Sequence, residues 1–265
     1  MKTRRWPLYS LLAFGYAFLY VPVLLLVVYS FNASRLVTVW GGFSTHWYGE
    51  LLNNTQILDA AWLSIRIATV NATLATVLGT LAAMALVRAG RFRGRGGFEL
   101  LLTAPLVMPE VIVGLSLLLL FVAMQHSIGW PDGRGFTTIT IAHITFSMAY
   151  ATVVIRTRLA QMDRSLEEAA MDLGARPLVV YLRITLPLIA PALLSAWLLA
   201  FTLSLAALVI ASFVAGPAST TLPMVVYSSV RRGVSPQIRA LAALILLFVS
   251  RAVLVAGLAL ARKRD

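Results

Sequence analysis

Long apolar runs separated by short polar clusters organise this chain. Runs of spanning length fall at 8–31, 60–87, 100–124, 137–155, 188–214 and 240–261. Crossing the hydrocarbon core of a bilayer takes about 20 apolar residues in a helix, whose backbone polar groups satisfy one another. The pattern therefore predicts an all-α membrane protein with six transmembrane helices. No connection is long enough for a soluble domain, so residues 1–265 read as a single transmembrane domain. The opening "MKTRRWPLYS" resembles the start of a signal peptide, but no small-residue cleavage site follows and the apolar run continues past the usual length. An uncleaved first helix is expected.

Six crossings put both termini on one side, and the basic residues say which. Lys2, Arg4 and Arg5 precede the first run, and Arg88, Arg91, Arg93 and Arg95 separate the second from the third. Arg156, Arg158, Arg164, Arg176 and Arg183 lie between the fourth and fifth, and Arg262, Lys263 and Arg264 follow the sixth. These fifteen of 22 basic residues share one side, and the positive-inside rule makes it the cytoplasm. Both termini are expected there. The longest outer connections are 32–59 and 215–239. The first contains Phe43, Trp47 and Tyr48, which read as a short interfacial helix, serving either as an aromatic belt or in docking.

Composition agrees. The chain is 60% hydrophobic with a mean hydropathy of +0.86, so its surface itself must be apolar. A net charge of +12 spread in short clusters marks topology, not nucleic-acid binding. With no cysteine, disulfides and thiolate chemistry are excluded, and His46, His126 and His143 lack metal-ligand spacing. The only lysines, Lys2 and Lys263, have no phosphate-binding glycine loop before them; "RFRGRGGF" is a tight basic turn. This chain is therefore expected to be no ATPase and to hold no cofactor.

The cytoplasmic stretch 163–187 carries Asp163, Glu167, Glu168 and Asp172, four of the ten acidic residues. Ser165 and Glu168 have the spacing of a capping box. Leu166, Ala170 and Leu173 recur at helical spacing, Gly174 fits a left-handed helix stop, and Pro177 fits a first helical residue. Pro187 is expected to break the helix before the fifth span. The reading is two short amphipathic helices, each too short to be stable without a packing partner. A partner-docking role competes with that of a solvated, salt-bridged connector; the small Ala169 and Ala170 favour docking.

Glu168-Ala169-Ala170, then Gly174 after three residues and Ile184-x-Leu186-Pro187 after nine more, resembles the EAA loop of ABC importer permeases at every signature position. Four further stretches resemble the polyamine (spermidine/putrescine) permeases: "FLYVPVLLLVVYSFN", "WYGELL", "APLVMPEVIVGLSLLLLF" and "TTLPMVVYSSVRRGVSPQIRALA". The resemblance covers nearly the whole chain. It implies a permease subunit in a bacterial inner membrane, with a coupling helix between spans four and five that seats in an ATPase subunit. ATP and magnesium would be bound by that partner. It further implies a pair of ATPases, a second permease and an external solute-binding protein. The docking surface would then comprise Ser165, Glu167, Glu168, Ala169, Ala170, Asp172, Leu173, Gly174, Ile184, Leu186 and Pro187.

A path for polyamine cations calls for carboxylates and aromatic faces. Glu110 is the one acid well inside a predicted span, next to Pro109 and near Gly114. It reads as a path-lining carboxylate or as the ion-pair partner of another chain or of Arg251. Polyamine permeases often carry an acidic pair after "FTLSL", where this chain has Ala206-Ala207. Ala206, Ala207 and Tyr150 join Glu110 as path candidates. A permease for another solute is the nearest alternative. A self-sufficient secondary transporter or channel would leave the cytoplasmic stretch without a purpose. An intramembrane enzyme finds no support, since His143 and Ser147 lie one turn apart without a third group.

Overall fold

The computed structural model describes residues 6–36, 39–232 and 235–261. Lys2, Arg4, Arg5, Arg262, Lys263 and Arg264, part of the orientation argument, lie outside them. In chain order the helices are α1 (Trp6–Ser30), α2 (His46–Leu52), α3 (Thr55–Arg88), α4 (Arg95–Val107), α5 (Glu110–Ile128) and α6 (Phe136–Gln161). There follow α7 (Ser165–Asp172), α8 (Pro177–Val180), a π-helical turn (Tyr181–Thr185), α9 (Leu186–Ala206), α10 (Val209–Val214), α11 (Leu222–Arg232) and α12 (Pro236–Ala261). Among the described residues the only β pairing is an isolated bridge between Asn32 and Phe43.

Five helical stretches are long and apolar enough to cross a membrane: Tyr9–Ser30, Thr55–Arg88, Glu110–Ile128, Phe136–Gln161 and the continuous Pro177–Ala206. The sixth predicted span corresponds to α12, whose 26 residues reach about 39 Å at 1.5 Å each. Two predicted spans are broken. The third divides into α4 and α5 at Met108 and Pro109, both extended, with ψ of 136° and 135°. Proline drives the residue before it out of the helical region, and the ladder stops there. The fifth divides at Ala207, whose ψ of 105° separates α9 from α10 without any glycine or proline.

The chain folds as two bodies. In the first, residues up to Leu58 and from Val226, α12 packs beside α1 and α2. None of the apolar window of α1 is buried, as suits a helix that is apolar all round. The loop after α1 folds around buried Asn32. Its Nδ2 donates to Val39 O (2.8 Å), its Oδ1 accepts from the amides of Ser34 and Gly41, and its carbonyl accepts from Trp47 Nε1 (2.7 Å). Trp47 is thus a buried strut, while Phe43 stacks in the open on Phe31. Gln237 at the start of α12 accepts from Asn54 and donates to Glu50, fixing α2 to α12. Arg251 is exposed on α12.

In the second body, residues Asp59–Val225, α6 is the central post, packing on α4, α9 and α10. It buries polar side chains because protein, not lipid, surrounds it. His143 Nδ1 pairs with Ser204 Oγ (2.8 Å), and Ser147 Oγ accepts from Asn71 Nδ2 (3.2 Å). Where α3, α6 and α9 meet, the small Ala83, Ala151 and Ala196 permit close approach and share one buried cluster with Ile155, Leu159 and Ile189. A Cβ on Gly79 would stand 2.9 Å from Ala151 Cβ and 3.0 Å from Thr152 N, so only glycine allows this crossing.

Candidate functional site

The stretch 163–187 forms α7, a turn, and about the first three turns of a long helix. Asp163, not Ser165, caps α7: its Oδ1 accepts from the Ser165 amide (3.0 Å), which holds the carboxyl below the usual carboxylate range. The predicted capping box is absent. Arg164 already has helical angles, so Ser165 lies inside the helix and its hydroxyl makes no cap bond. Gly174 does end the helix, at φ +86°. Its amide donates to Met171 O (2.9 Å) and that of Ala175 to Ala170 O (3.1 Å), the paired bonds of a Schellman stop. Pro177 opens α8 as expected.

Pro187 does not break the chain's direction. α8, the π turn and α9 run on as one helix, Pro177–Ala206. The Leu186 amide reaches back to Tyr181 O, one residue further than in an α-helix. This wider turn falls just before the residue that has no amide hydrogen to give, so the ladder is re-registered around the proline. The stretch is therefore one short helix, α7, followed by the first turns of the long helix Pro177–Ala206.

Exposure divides the predicted docking set. Leu166, Glu168, Ala169, Asp172 and Leu173 are exposed along α7, Leu173 at 90%, and Leu178 and Leu182 are exposed on the helix that follows. Ser165, Gly174 and Pro187 are exposed as well, whereas Ala170, Ile184 and Leu186 are half-buried. Glu167 turns the other way. Its Oε2 lies 3.0 Å from Arg88 Nε at the end of α3, and its Oε1 accepts from Thr185 Oγ1 (2.7 Å) in the π turn. Sequence reading counted Arg88 only as a topology charge and did not single out Thr185. No local pattern marks either, since both lie far from Glu167 in sequence.

The path candidates gather around the two helix breaks. Glu110 is exposed in the first turn of α5, where the positive end of the helix dipole favours a carboxylate. One turn later a Cβ on Gly114 would stand 2.8 Å from Phe213 Cδ2 and 3.3 Å from Ile210 Cα, so α5 and α10 touch nearly backbone to backbone. Ala206 (exposed) and Ala207 (half-buried) lead into α10 from the other side. Tyr150 is half-buried, packed on Phe146 and on the cluster that holds Val113 and Ile210. Among the described residues no group of His, Asp and Glu side chains is placed to hold a metal ion.

Several helices long and apolar enough to span a membrane, two predicted spans interrupted, and an exposed short helix on one polar connection describe a polytopic membrane protein. Residues 75–264 match the sequence profile of the "binding-protein-dependent transport system inner membrane component", and the chain belongs to that family. It is 64% identical over 236 residues to the putrescine transport system permease protein PotI of Escherichia coli (strain K12), covering 89% of this chain and 84% of that protein. It is 41% identical over 249 residues to the spermidine/putrescine transport system permease protein PotC of the same organism, covering 94% and 91%. Among solved structures, a bacterial ABC transporter that imports the acidic polysaccharide alginate matches with a TM-score of 0.68 at 16% identity, covering 98% of each chain. The MetNI methionine ABC transporter matches at 0.61 and 16%, covering 79% and 96%. The fold is that of an ABC importer permease.

Proposed function

We propose that this permease moves polyamines, putrescine foremost, inward across a bacterial inner membrane. The observation that carries the solute is the 64% identity to a putrescine permease, sustained over 89% of the chain. In this reading the exposed face of α7, with Glu168, Ala169 and Leu173, docks into a partner ATPase that binds ATP and magnesium. A second permease completes the path, and an external binding protein delivers the solute. Both termini lie in the cytoplasm and α12 is the sixth crossing.

The path passes the two helix breaks, with Glu110 supplying negative charge and Tyr150 an aromatic face. A cation leaving water needs compensating charge, and the Ala206–Ala207 corner offers none. The deciding experiment is uptake of labelled putrescine and spermidine by the complete complex in proteoliposomes, with and without ATP inside the ATPase-bearing compartment. ATP-dependent putrescine uptake is expected, lowered in Glu110→Gln and raised in the double variant Ala206→Asp with Ala207→Asp. A complex that hydrolyses ATP but takes up neither polyamine would overturn the solute, and silence of both sets of variants would overturn the path.

A further inference from the structure

We infer that Glu167, Arg88 and Thr185 form the mechanical joint through which movement of a docked α7 reaches the membrane helices. The inference rests on the docking role proposed above and assigns to these three residues a task distinct from docking.

α7 is joined to its neighbours through short non-helical links. On one side it is joined to α6 through Met162–Arg164, which leaves the helix with an extended Met162 (ψ 131°). On the other side it is joined to α8 through the left-handed Gly174 and extended Arg176 (ψ 146°). Neither link has a helix's stiffness, and backbone dihedrals at such links are the soft coordinates of a chain. A force applied to α7 by a partner would turn it about them unless something else tied it down.

Glu167 supplies that tie. It is the one acid of α7 directed inward, and its side chain and that of Arg88 are each only 13% exposed. Arg88 approaches with two nitrogens: Nη2 donates to Oε1 (3.3 Å), while Nε lies 3.0 Å from Oε2 as an ion-pair contact without hydrogen-bond alignment. Thr185, 1% exposed, adds a hydroxyl bond of 2.7 Å to the same carboxylate. One carboxylate thus bridges three elements: the end of α3, α7 and the π turn that leads into α9.

Behind the joint, α3 and α9 are held by further contacts. Arg95 Nη2 donates to Leu86 O (2.8 Å), so the last turn of α3 is secured. One turn into the membrane, the Ala83–Ile155–Ile189 cluster locks α3, α6 and α9 at small-residue contacts. Packed interiors shift as units and do not deform continuously. A displacement of Glu167 is therefore passed to α3 through Arg88 and to α9 through Thr185 together. The continuous Pro177–Ala206 helix, about 45 Å long and so longer than a bilayer core is thick, carries it onward to the break at Ala207.

The test uses the assembled complex with its ATPase and binding protein. Glu167→Gln, Arg88→Met and Thr185→Val keep side-chain volume while removing charge or hydroxyl. Three quantities are read: ATPase co-purified per permease, basal ATP hydrolysis, and the factor by which loaded binding protein stimulates it. The expected result is unchanged co-purification and basal hydrolysis with stimulation reduced about tenfold in Glu167→Gln and Arg88→Met, within the usual range of coupling energies, and less in Thr185→Val. Glu167→Asp and the exchange of Arg88→Glu with Glu167→Arg should recover part of the stimulation, which a role in folding alone does not predict. Unchanged stimulation in all three single variants overturns the joint, and so does a loss of co-purified ATPase parallel to the loss of stimulation. Because stimulation is read without measuring uptake, a wrong solute assignment would show separately, in the uptake assay.

Discussion

Gly174 shows how much a single residue decides at the end of α7. At φ +86° it occupies a region that costs an L-residue with a side chain about 1–2 kcal/mol, while nothing lies within 4 Å of the place a Cβ would take. The demand is one of backbone angle alone. Gly174→Ala should therefore leave the packing intact but weaken the stop, reorienting α7 against α8. The expected outcome is ATP-driven uptake reduced several-fold in a complex of normal composition, checked by uptake and by subunit stoichiometry; full uptake would show that the turn angle is not needed. At the other end of α7, Asp163 does what the spacing assigned to Ser165. The acids, the glycine and Pro177 were legible because caps and stops are local. Which acid would cap and which would face inward was not, because Arg88 and Thr185 come to Glu167 only through the fold.

Among the helices, two glycines make opposite predictions. Gly79 on α3 is pressed against Ala151 and the backbone of Thr152 on α6, whereas Gly15 on α1 has nothing within 4 Å. Overpacking by one methyl at a backbone-limited contact costs about 1–3 kcal/mol. Gly79→Ala should lower the thermal midpoint of the detergent-solubilised protein, while Gly15→Ala should leave it unchanged or slightly raise it, since alanine is the better helix former. Equal effects at both sites would mean that α3 and α6 do not cross as closely as described. The element boundaries tell the same story of local against distant causes. The α4–α5 break has a local cause in Pro109, which restrains the residue before it, although the apolar pattern alone reads 100–124 as one unbroken span. The α9–α10 break at Ala207 has no such mark. It coincides with the close seating of α10 on Gly114 of α5, and Thr138 Oγ1 on α6 donates to Val214 O (2.8 Å) to satisfy the end of that short helix.

For the molecule as a whole, orientation is the open quantity that can be measured directly. The native chain has no cysteine, so single cysteines report sidedness without background. Trp47 is buried and would label poorly, but Asn53, just after α2, is exposed, as are Arg93, Arg164 and Arg231. Cysteines at 93 and 164 should react only with reagents that reach the cytoplasm, and those at 53 and 231 should react from outside. Labelling of position 164 from outside would invert the topology and remove the surface proposed to meet the ATPase.

The apolar runs by themselves determined that the chain is helical and membrane-embedded, because a bilayer allows few other ways to satisfy a backbone. The spacing from Glu168 to Pro187 and the similar stretches along the chain pointed to an importer permease of the polyamine type, to which the family match and the curated relatives then agreed. Charge counts supplied an orientation, which labelling will test. What only the tertiary structure decided are the relations between residues far apart in sequence. Pro187 became part of a continuous helix because a π turn absorbed its missing amide. Glu110 came to lie at a helix start beside a second break, and Glu167 was drawn inward to Arg88 and Thr185. Hydropathy and local propensity report how each segment meets solvent or lipid, but a carboxylate's partner is chosen by whichever helices pack beside it.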